Sequence, residues 1–329
     1  MGSRFLYERI LCTGANGFLG TALCKRILNM ENPLCHELIL LDLSAPDYPT
    51  SSSSGVKAIP LVCDLNEPNA IDLLKKNNAL AGVDGVIHLA GSVHLHPTSV
   101  ISQCLESFDG NTKIAASLLA ILPKDLEYFL YSSTMSVYDV SECSHIEAGN
   151  IPVSPTSAYG AGKLAVEKLL NIFGENNKIS IGIFRMVSLY GPGKRSPYDT
   201  RSIPRFISAA LKAKRLDQSE KVSIKGDGKV KTDYLYIEDA VDALIAALER
   251  RATGIINLGS GRGISLRDTF EIIKNISGAK LTLEHQKHQG GKDFIFDIRP
   301  AQETLNWKPK TSFEVGIANE FRYLSEEEQ

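Results

Sequence analysis

The sequence has little net charge and no apolar run as long as a membrane span. Its 36 basic and 38 acidic residues give a formal charge of −2. A chain with this balance has no basic field of the kind that attracts nucleic-acid backbones or anionic lipid. Its apolar runs are too short to cross a bilayer. We therefore expect a small-molecule partner, and we expect neither a nucleic acid nor a membrane.

The six cysteines are scattered, and no two of them form a CxxC pair. Cys12 and Cys63 lie inside apolar runs, as small core residues do. This usage favours a reducing compartment. A strand-like run begins at Ile10, too close to Met1 to leave room for a signal peptide. These features predict a cytoplasmic protein.

Short apolar runs alternate with stretches of helical periodicity through the first half of the chain. The runs are Arg9 to Thr13, Glu37 to Asp42, Lys57 to Cys63, Gly85 to Ala90, Leu126 to Ser132 and Ser180 to Arg185. Strands that are apolar throughout are buried on both faces, as they are in a parallel sheet covered by helices. The sequence therefore predicts an α/β fold with a doubly wound parallel sheet of the Rossmann type.

A glycine motif lies between the first predicted strand and a helix predicted over Gly17 to Met30. Gly14, Gly17 and Gly20 permit a tight turn, a close approach of backbone to a pyrophosphate, and close packing of the helix on the sheet. The free N–H groups at the helix start then face the phosphate charge. Asp42 ends the second strand about twenty residues later, where a carboxylate can bond both ribose hydroxyls. The motif predicts a dinucleotide site.

The same carboxylate indicates which dinucleotide binds. Asp42 would repel the additional 2′-phosphate of NADP, so NAD is the predicted cofactor.

The regular alternation of strands and helices fails after Arg185, and Gly191-Pro192-Gly193 opens an irregular, charged segment. We predict an NAD-binding domain over 1–187 and a smaller lobe, mainly substrate-binding, over 188–329. Ile255 to Leu258 has the composition of a further strand. A segment near 233–262 is therefore expected to rejoin the first domain.

Tyr159 and Lys163 are four residues apart in a predicted helix and share one of its faces. A tyrosine with the usual pKa near 10 is a poor base, and lowering that pKa by about three units requires roughly 4 kcal/mol. An ammonium about 4 Å away supplies close to that amount at an effective dielectric constant near 20. The hydroxyl of Thr134 could bond the same substrate oxygen. Such a pair is also common on helix surfaces, so its spacing alone decides little.

Taken together, the motifs resemble those of the extended short-chain dehydrogenases, in kind and in order along nearly the whole chain. This family includes the NAD-dependent nucleotide-sugar epimerases and dehydratases. The segments that carry the resemblance are Thr13 to Gly20, Asp64-Leu65, His88 to Gly91, Ser132 to Thr134, Tyr159 to Lys163, Phe184-Arg185, Tyr190 to Pro192, Gly226 to Gly228, Asp233 to Asp239, Asn257 to Gly261 and Leu305 to Pro309.

The resemblance implies a role for particular residues. Thr134, Tyr159 and Lys163 take the catalytic positions. The cofactor positions are Gly14, Gly17, Phe18, Leu19, Gly20, Asp42, Asp64, Leu65, Leu89, Ala90, Gly91, Asn111 and Ser132, together with Tyr159 and Lys163. The substrate positions are Ser92, Thr134, Met135, Ser188 and Lys231. The resemblance also implies a homodimer whose subunits pair through helices near Ser99 to Leu122 and Thr156 to Phe173.

The sequence departs from the family's pattern at positions that bear on the substrate. Many UDP-sugar epimerases have Asn where Ser188 stands and Arg where Thr232 stands. The segment from Gln289 to Asp293 also lacks the Arg-Pro pair that grips a diphosphate in those enzymes. A planar guanidinium is a better diphosphate ligand than a lysine ammonium. The family's dehydratases have Asp-Glu after the catalytic threonine, where this chain has Met135-Ser136.

The sequence therefore predicts an NAD-dependent sugar epimerase that acts at C4 of a nucleotide sugar through a transient keto intermediate, with Tyr159 as the base. The alternatives are a dehydrogenase or reductase of a keto sugar, a nucleotide-sugar dehydratase, and a catalytically silent NAD-binding protein.

No metal site is predicted, because His94 and His96 have no third ligand nearby. His88 is expected to be a core histidine, and Arg185 is expected to pair with a carboxylate at the base of the cleft. Lys194, Arg195 and Arg201 could hold phosphates or belong to a solvated loop.

Overall fold

A computed structural model describes residues 5–92, 101–139, 145–146, 151–194, 201–287 and 291–327. The strands are β1 Tyr7–Thr13, β2 Cys35–Asp42, β3 Lys57–Val62, β4 Gly85–His88, β5 Tyr128–Thr134, β6 His145–Ile146, β7 Ser180–Met186, β8 Ser188–Tyr190, β9 Glu220–Lys225, β10 Lys231–Tyr236, β11 Gly254–Leu258, β12 Gly263–Ser265, β13 Leu281–Gln286 and β14 Ile295–Phe296. The helices are α1 Phe18–Asn29, α2 Ala70–Lys76, α3 Ile101–Leu119, α4 Ala158–Asn177, α5 Ser202–Leu216, α6 Ile237–Arg250, α7 Leu266–Ser277, α8 Arg299–Leu305 and α9 Phe313–Glu327.

Seven of these strands form the central sheet, in the order β11-β7-β5-β4-β1-β2-β3. Every pairing in it is parallel. The predicted doubly wound Rossmann sheet is confirmed, and the predicted strands differ from the observed ones by a few residues at their ends. β11 pairs with β7, so the chain returns to the sheet over Gly254–Leu258. β10 does not join this sheet, since it lies in a separate three-stranded sheet with β8 and β12.

The strands are apolar throughout because helices cover both faces of the sheet. Alternate side chains of β1 point to opposite faces. Ile10 and Cys12 belong to the apolar cluster that includes Leu23 of α1 and Val241 of α6. Leu11 belongs to the cluster on the other face, with Ala115 of α3 and Val166 of α4. The central sheet therefore lies between two layers of helices, with one apolar cluster on each of its faces.

The carboxyl-terminal lobe has an apolar cluster of its own. Phe206 and Ile207 of α5 pack there with Phe270 and Ile273 of α7. Ile317 of α9 is fully buried in the same cluster. A parallel ribbon of β9 and β13 lies beside α5.

The order of the strands determines where a ligand can enter. β1 lies between β4 and β2, so the chain proceeds to one side of β1 first and then to the other. In an open sheet of this kind, the crevice at the carboxyl ends of the strands beside this reversal is the binding site. The glycine motif follows β1, and residues 89–92 follow β4.

Among the described residues, no helix combines the length and the apolar character that a membrane crossing requires.

Candidate active site

The glycine motif forms a tight loop between β1 and α1. Gly14 has a φ of +73°, and a Cβ there would lie 2.7 Å from the Ala90 backbone nitrogen. A Cβ at Gly20 would overlap the Gly14 carbonyl oxygen. Two of the three glycines are therefore required by the turn itself and by the contact between helix and loop. Gly17 has an ordinary extended backbone and is exposed at the start of α1.

The first turn of α1 has the properties of an anion site. Gly17 is the residue before the helix, and no side chain caps the helix start. The first turn contains no acidic residue. The N–H groups of this turn and the positive end of the helix dipole therefore face the place where a phosphate would bind. Phe18 and Leu19 begin this turn and are partly buried.

Asp42 lies at the carboxyl end of β2, beside the glycine loop. Its carboxylate accepts hydrogen bonds from the backbone nitrogens of Asn16 (2.8 Å) and Leu43 (2.7 Å). Each oxygen has further lone pairs that can accept a ribose hydroxyl. The side chain is thus held in place by the loop that would hold the pyrophosphate.

Two residues predicted to flank the adenine follow β3. Asp64 is partly exposed, and its side chain accepts the backbone N–H of Asn66 at 2.9 Å. Leu65 is buried in the apolar cluster beneath the sheet. Asp64 therefore reaches the surface of the crevice, whereas Leu65 supports it from below.

Asn111 of α3 lies below residues 89–92. Its amide nitrogen donates to the carbonyl oxygens of Ser92 and Ser107, each at 2.8 Å. Its side-chain oxygen is buried and accepts no hydrogen bond from the described residues. A Cβ at Gly91 would lie 2.7 Å from that oxygen and 3.1 Å from the ammonium nitrogen of Lys163. This unsatisfied acceptor and the missing Cβ are what a cradle for a bound ligand requires.

The catalytic candidates Thr134, Tyr159 and Lys163 come together at the carboxyl end of β5. The Ser157 hydroxyl caps α4 by accepting the Gly160 N–H at 3.1 Å. A Cβ at Gly160 would overlap the Ser136 carbonyl oxygen, so glycine lets the helix start contact the 3-10 turn Met135–Val137. This contact brings Tyr159 close to Thr134, whose hydroxyl accepts the Ser136 backbone N–H at 3.2 Å and whose polar side chain acts to lower the pKa of the phenol.

Lys163 is buried one turn further along α4. Its ammonium nitrogen donates to the Ser132 carbonyl oxygen at 2.9 Å. It lies 4.9 Å from the centroid of the Tyr131 ring and 6.0 Å from that of the Tyr159 ring. Lys163 thus lies between the Tyr159 ring and the end of β5, the strand that also carries Thr134.

The electrostatics of the pair differ from the sequence-based expectation. Burial raises the pKa of Tyr159 to about 12, and the Thr134 hydrogen bond and the positive charge of Arg201 oppose that rise. Burial lowers the pKa of Lys163 to about 8, against the opposing charge of Glu167. Desolvation is therefore the largest influence on the phenol, and these side chains by themselves do not give the lowered tyrosine pKa that the sequence led us to expect.

His88 and Arg185 have the structural roles expected of them. His88 Nδ1 lies 2.7 Å from the Thr13 hydroxyl, and its ring stacks on Tyr131. Burial lowers the pKa of His88 to about 3, so it is neutral near pH 7. Arg185 pairs with Glu167, a buried carboxylate that sequence reasoning did not select. The signal was its spacing, since Tyr159, Lys163 and Glu167 recur every four residues.

The predicted substrate residues are only partly brought together. Met135 follows Thr134 directly, and Ser92 is held by Asn111. Ser188 lies in β8 and pairs with Tyr234 of β10. Lys231 is exposed at the start of β10, where it pairs with Ser265 of β12. It therefore lies at the opposite end of β10 from the residues that pair with β8.

The basic residues and the histidines raised as alternatives have separate positions. Lys194 forms an ion pair with Asp47, which follows β2. Arg201 donates to the Leu189 carbonyl oxygen at 3.3 Å. His94, His96 and Arg195 lie outside the described residues. Within the described part of the chain, no three His, Cys, Asp or Glu side chains are grouped as metal ligands.

Comparisons with known proteins identify the family to which the chain belongs. The model of the NAD dependent epimerase/dehydratase family matches residues 10–259. A Bacillus subtilis (strain 168) protein described as the uncharacterized UDP-glucose epimerase YtcB is 30% identical over 339 residues, which cover 96% of this chain and 98% of that protein. UDP-glucuronic acid decarboxylase 1 of Arabidopsis thaliana is 25% identical and covers 94% of this chain and 68% of its own length.

Solved structures are similar over the whole fold. UDP-glucuronic acid 4-epimerase from Bacillus cereus, in complex with NAD, is 27% identical with a TM-score of 0.78, covering 98% of this chain and 100% of its own. MoeE5, in complex with UDP-glucose and NAD, is 25% identical with a TM-score of 0.80 and the same coverage.

The fold and the site define an extended short-chain dehydrogenase with a Rossmann nucleotide fold. The chain belongs to the NAD-dependent epimerase/dehydratase family.

Proposed function

We propose that this protein is an NAD-dependent epimerase that inverts C4 of a nucleotide-linked sugar. The observation that carries the proposal is the assembly of Thr134, Tyr159 and Lys163 at the carboxyl end of β5, beside the glycine loop. The named relatives that are UDP-sugar epimerases support the same reaction class.

The residues around the crevice fit NAD. The N–H groups at the start of α1 would hold the pyrophosphate, and Asp42 would hold the adenosine ribose. The buried acceptor of Asn111 and the space beside Gly91 suit the part of the ligand nearest Lys163. When bound, NAD accepts a hydride from the sugar carbon, returns it, and brings a positively charged ring to the site.

The side chains of the chain handle the proton. Tyr159 removes the proton of the sugar hydroxyl, and the Thr134 hydroxyl bonds the same oxygen and orients it. Lys163, largely an ammonium near pH 7 because its pKa is about 8, favours the phenolate by its charge. The high pKa of Tyr159 means that ionisation needs further positive charge in the loaded site.

The other reactions of the family fit the site less well. Met135 and Ser136 occupy the positions of the dehydratase acid pair, so no acidic residue stands there to expel water. A decarboxylase would act on a sugar acid, as the named Arabidopsis relative does. A reductase would oxidise one molecule of NADH for each product, so the spent cofactor would have to leave the site and be replaced in every cycle. The intact catalytic trio disfavours a silent binding protein.

The nucleotide is proposed to be a uridine diphosphate. Ser188 and Thr232 lack the side chains common in UDP-sugar epimerases, so lysines or other guanidinium groups would hold the diphosphate here. The named relatives that use UDP-sugars make this the first class of substrate to test.

The deciding experiment incubates the full chain and catalytic NAD with a panel of nucleotide sugars in deuterated water and examines the products by NMR. Epimerisation gives a new stereoisomer, no accumulation of NADH, and no deuterium at the inverted carbon. Stoichiometric change of the cofactor would establish the dehydrogenase or reductase. Loss of water or of carbon dioxide would establish a dehydratase or a decarboxylase.

Replacing Asp42 with Ala is expected to weaken NAD binding by roughly 10-fold to 100-fold and to narrow its advantage over NADP. The change removes both the ribose hydrogen bonds and the repulsion of the 2′-phosphate. Calorimetric titration with each cofactor measures the effect. Asp47→Ala is the matched control, because Asp47 follows the same strand but binds Lys194. Equal affinities of the unaltered protein for both cofactors would refute the assignment.

A homodimer is proposed through α3 and α4. Ile101 and Leu105 on α3 and Ile172 on α4 are more than half exposed, at 70%, 52% and 58%. The two helices pack against each other, and the exposed apolar side chains of both are the apolar surface that we propose for the partner subunit.

Leu105→Glu is expected to raise the dimer dissociation constant by roughly 100-fold, because it places a charge in that apolar surface. Analytical ultracentrifugation measures the change. Leu73→Glu is the control, since Leu73 is 49% exposed but lies on α2. A protein that is a monomer before any substitution, or a dimer that withstands Leu105→Glu, would contradict the proposed interface.

A further inference from the structure

Glu167 is a buried carboxylate that the proposed mechanism does not use. It lies on α4 one turn after Lys163 and two turns after Tyr159, and its side chain is 1% exposed. Burying a charge at this depth is costly unless it is paired and hydrogen-bonded. The contacts of Glu167 therefore show what it holds together.

Side chains from two neighbouring strands bind the carboxylate. Arg185 of β7 forms a fork, with its Nε 3.0 Å from one Glu167 oxygen and an Nη 2.6 Å from the other. The hydroxyl of Ser133 on β5 donates to the same carboxylate. Ser133 precedes Thr134 directly, so one side chain ties the helix of Tyr159 to the strand of Thr134.

The network continues beyond Arg185. A further guanidinium nitrogen donates to the Tyr138 hydroxyl at 2.7 Å. Tyr138 in turn donates to the Asn257 side-chain oxygen of β11 at 3.0 Å. The guanidinium also lies 4.9 Å from the centroid of the Tyr138 ring. These contacts fix Arg185, which leaves Glu167 little freedom to move.

We propose that Glu167 is a positioning residue of the active site, which fastens the Tyr159 and Lys163 helix to β5 and β7 and places a negative charge one helical turn from Lys163. This rests on the proposed function only in that Tyr159 and Lys163 are taken as the acting pair.

The charges that face Lys163 favour this role. From β4, His88 is neutral near pH 7 and adds no positive charge. From β5, the Tyr131 ring faces the ammonium and stays un-ionised, because burial raises the pKa of its hydroxyl. From α4 itself come Tyr159 and Glu167, and the Glu167 charge opposes the fall in the pKa of Lys163 that burial causes. Arg185 of β7 is bound to the Glu167 carboxylate and is not among the influences on the pKa of Lys163. Removing the Glu167 charge should therefore convert Lys163 to a neutral amine at lower pH.

The first test measures Lys163 directly and needs no substrate. The full chain, saturated with NAD, is labelled with carbon-13 at the lysine ε-carbons, and the Lys163 signal is assigned by its loss in Lys163→Met. In Glu167→Gln we expect the midpoint of its pH titration to fall by roughly one unit. Glu167→Asp keeps the charge and should restore most of the midpoint. Glu175→Gln, an exposed change on the same helix, should leave it unaltered.

Glu167→Gln leaves Arg185 unpaired and could unfold the chain, so a second variant is needed. Glu167→Gln with Arg185→Gln removes both charges and should fold more stably, while the Lys163 midpoint stays below that of the unaltered protein. The proposal would be overturned if the Lys163 midpoint in a folded Glu167→Gln protein, or in the folded double variant, equalled that of the unaltered protein. Glu167 and Arg185 would then be a buried ion pair with a structural role only.

The second test uses activity. With a substrate in hand, Glu167→Gln should lower kcat by roughly 100-fold with a small change in KM, and the alkaline fall of the rate should move to lower pH. A uniform loss of rate with an unchanged pH profile would also overturn the proposal. If no nucleotide sugar is converted even by the unaltered protein, the proposed reaction fails, but the NMR titration still decides the role of Glu167.

Discussion

Replacing Tyr159 with Phe is expected to lower kcat by roughly 1,000-fold or more while NAD still binds with nearly unchanged affinity. A positioned acid–base group contributes about 100-fold to 10,000-fold to the rate. The loss of the phenol hydroxyl removes the proton acceptor, whereas Thr134 stays in place because its hydroxyl is bound to Ser136. The ring itself remains and continues to fill the crevice. Single-turnover kinetics and calorimetry on the same preparation separate the two effects.

Tyr7→Phe is the matched control for this loss. Tyr7 is also buried, but its hydroxyl donates to the Leu248 carbonyl oxygen at 2.8 Å, in the core between β1 and α6. Its removal should lower the melting temperature by a few degrees and leave kcat unchanged. An active Tyr159→Phe protein would place the chemistry on another residue.

Gly160→Ala is expected to have the second largest effect. The added Cβ would overlap the Ser136 carbonyl oxygen, which belongs to the backbone and cannot turn aside. The start of α4 must then shift away from the 3-10 turn, and Tyr159 moves with it. A misplacement of about 1 Å in an active site can cost roughly 100-fold in rate. Overpacking also costs about 1–3 kcal/mol of stability.

Gly162→Ala provides the control for the added methyl group in the same helix. A Cβ there would lie 3.2 Å from the Cα and the carbonyl oxygen of Phe108 on α3, a tight contact but one that small shifts relieve. We expect kcat to change by less than roughly 10-fold. Rates and melting temperatures of the two variants, measured side by side, test the geometry. Equal effects would show that the contact of Gly160 with Ser136 does not position Tyr159.

The central sheet could be predicted because its strands are buried on both faces. The apolar runs that end in Thr13 and Asp42 lack the regularly spaced polar positions of an amphipathic helix, so a buried strand is the structure that they predict. The glycine spacing was equally informative, because a Cβ at Gly14 or Gly20 would collide with backbone. Each of these features is encoded in a short stretch of sequence, so it can be predicted without knowledge of the tertiary structure.

Other features depend on contacts between distant residues. Ser133, Glu167 and Arg185 meet only because β5, α4 and β7 are neighbours in space. The pKa of Tyr159 depends on how deeply the phenol is buried, which helical spacing does not reveal. The placement of β10 in a second sheet likewise results from its pairing with β8 and β12.

The late return of the chain to the central sheet affects how the protein is made. β7 pairs with β5 on one side and with β11 on the other, and β11 begins only at Gly254. During synthesis, β7 is an open edge until Gly254–Leu258 has left the ribosome. An unpaired apolar edge strand is a template for association with other chains. A nascent chain that stalled within α6 would therefore carry most of the nucleotide-binding crevice beside a surface prone to aggregation.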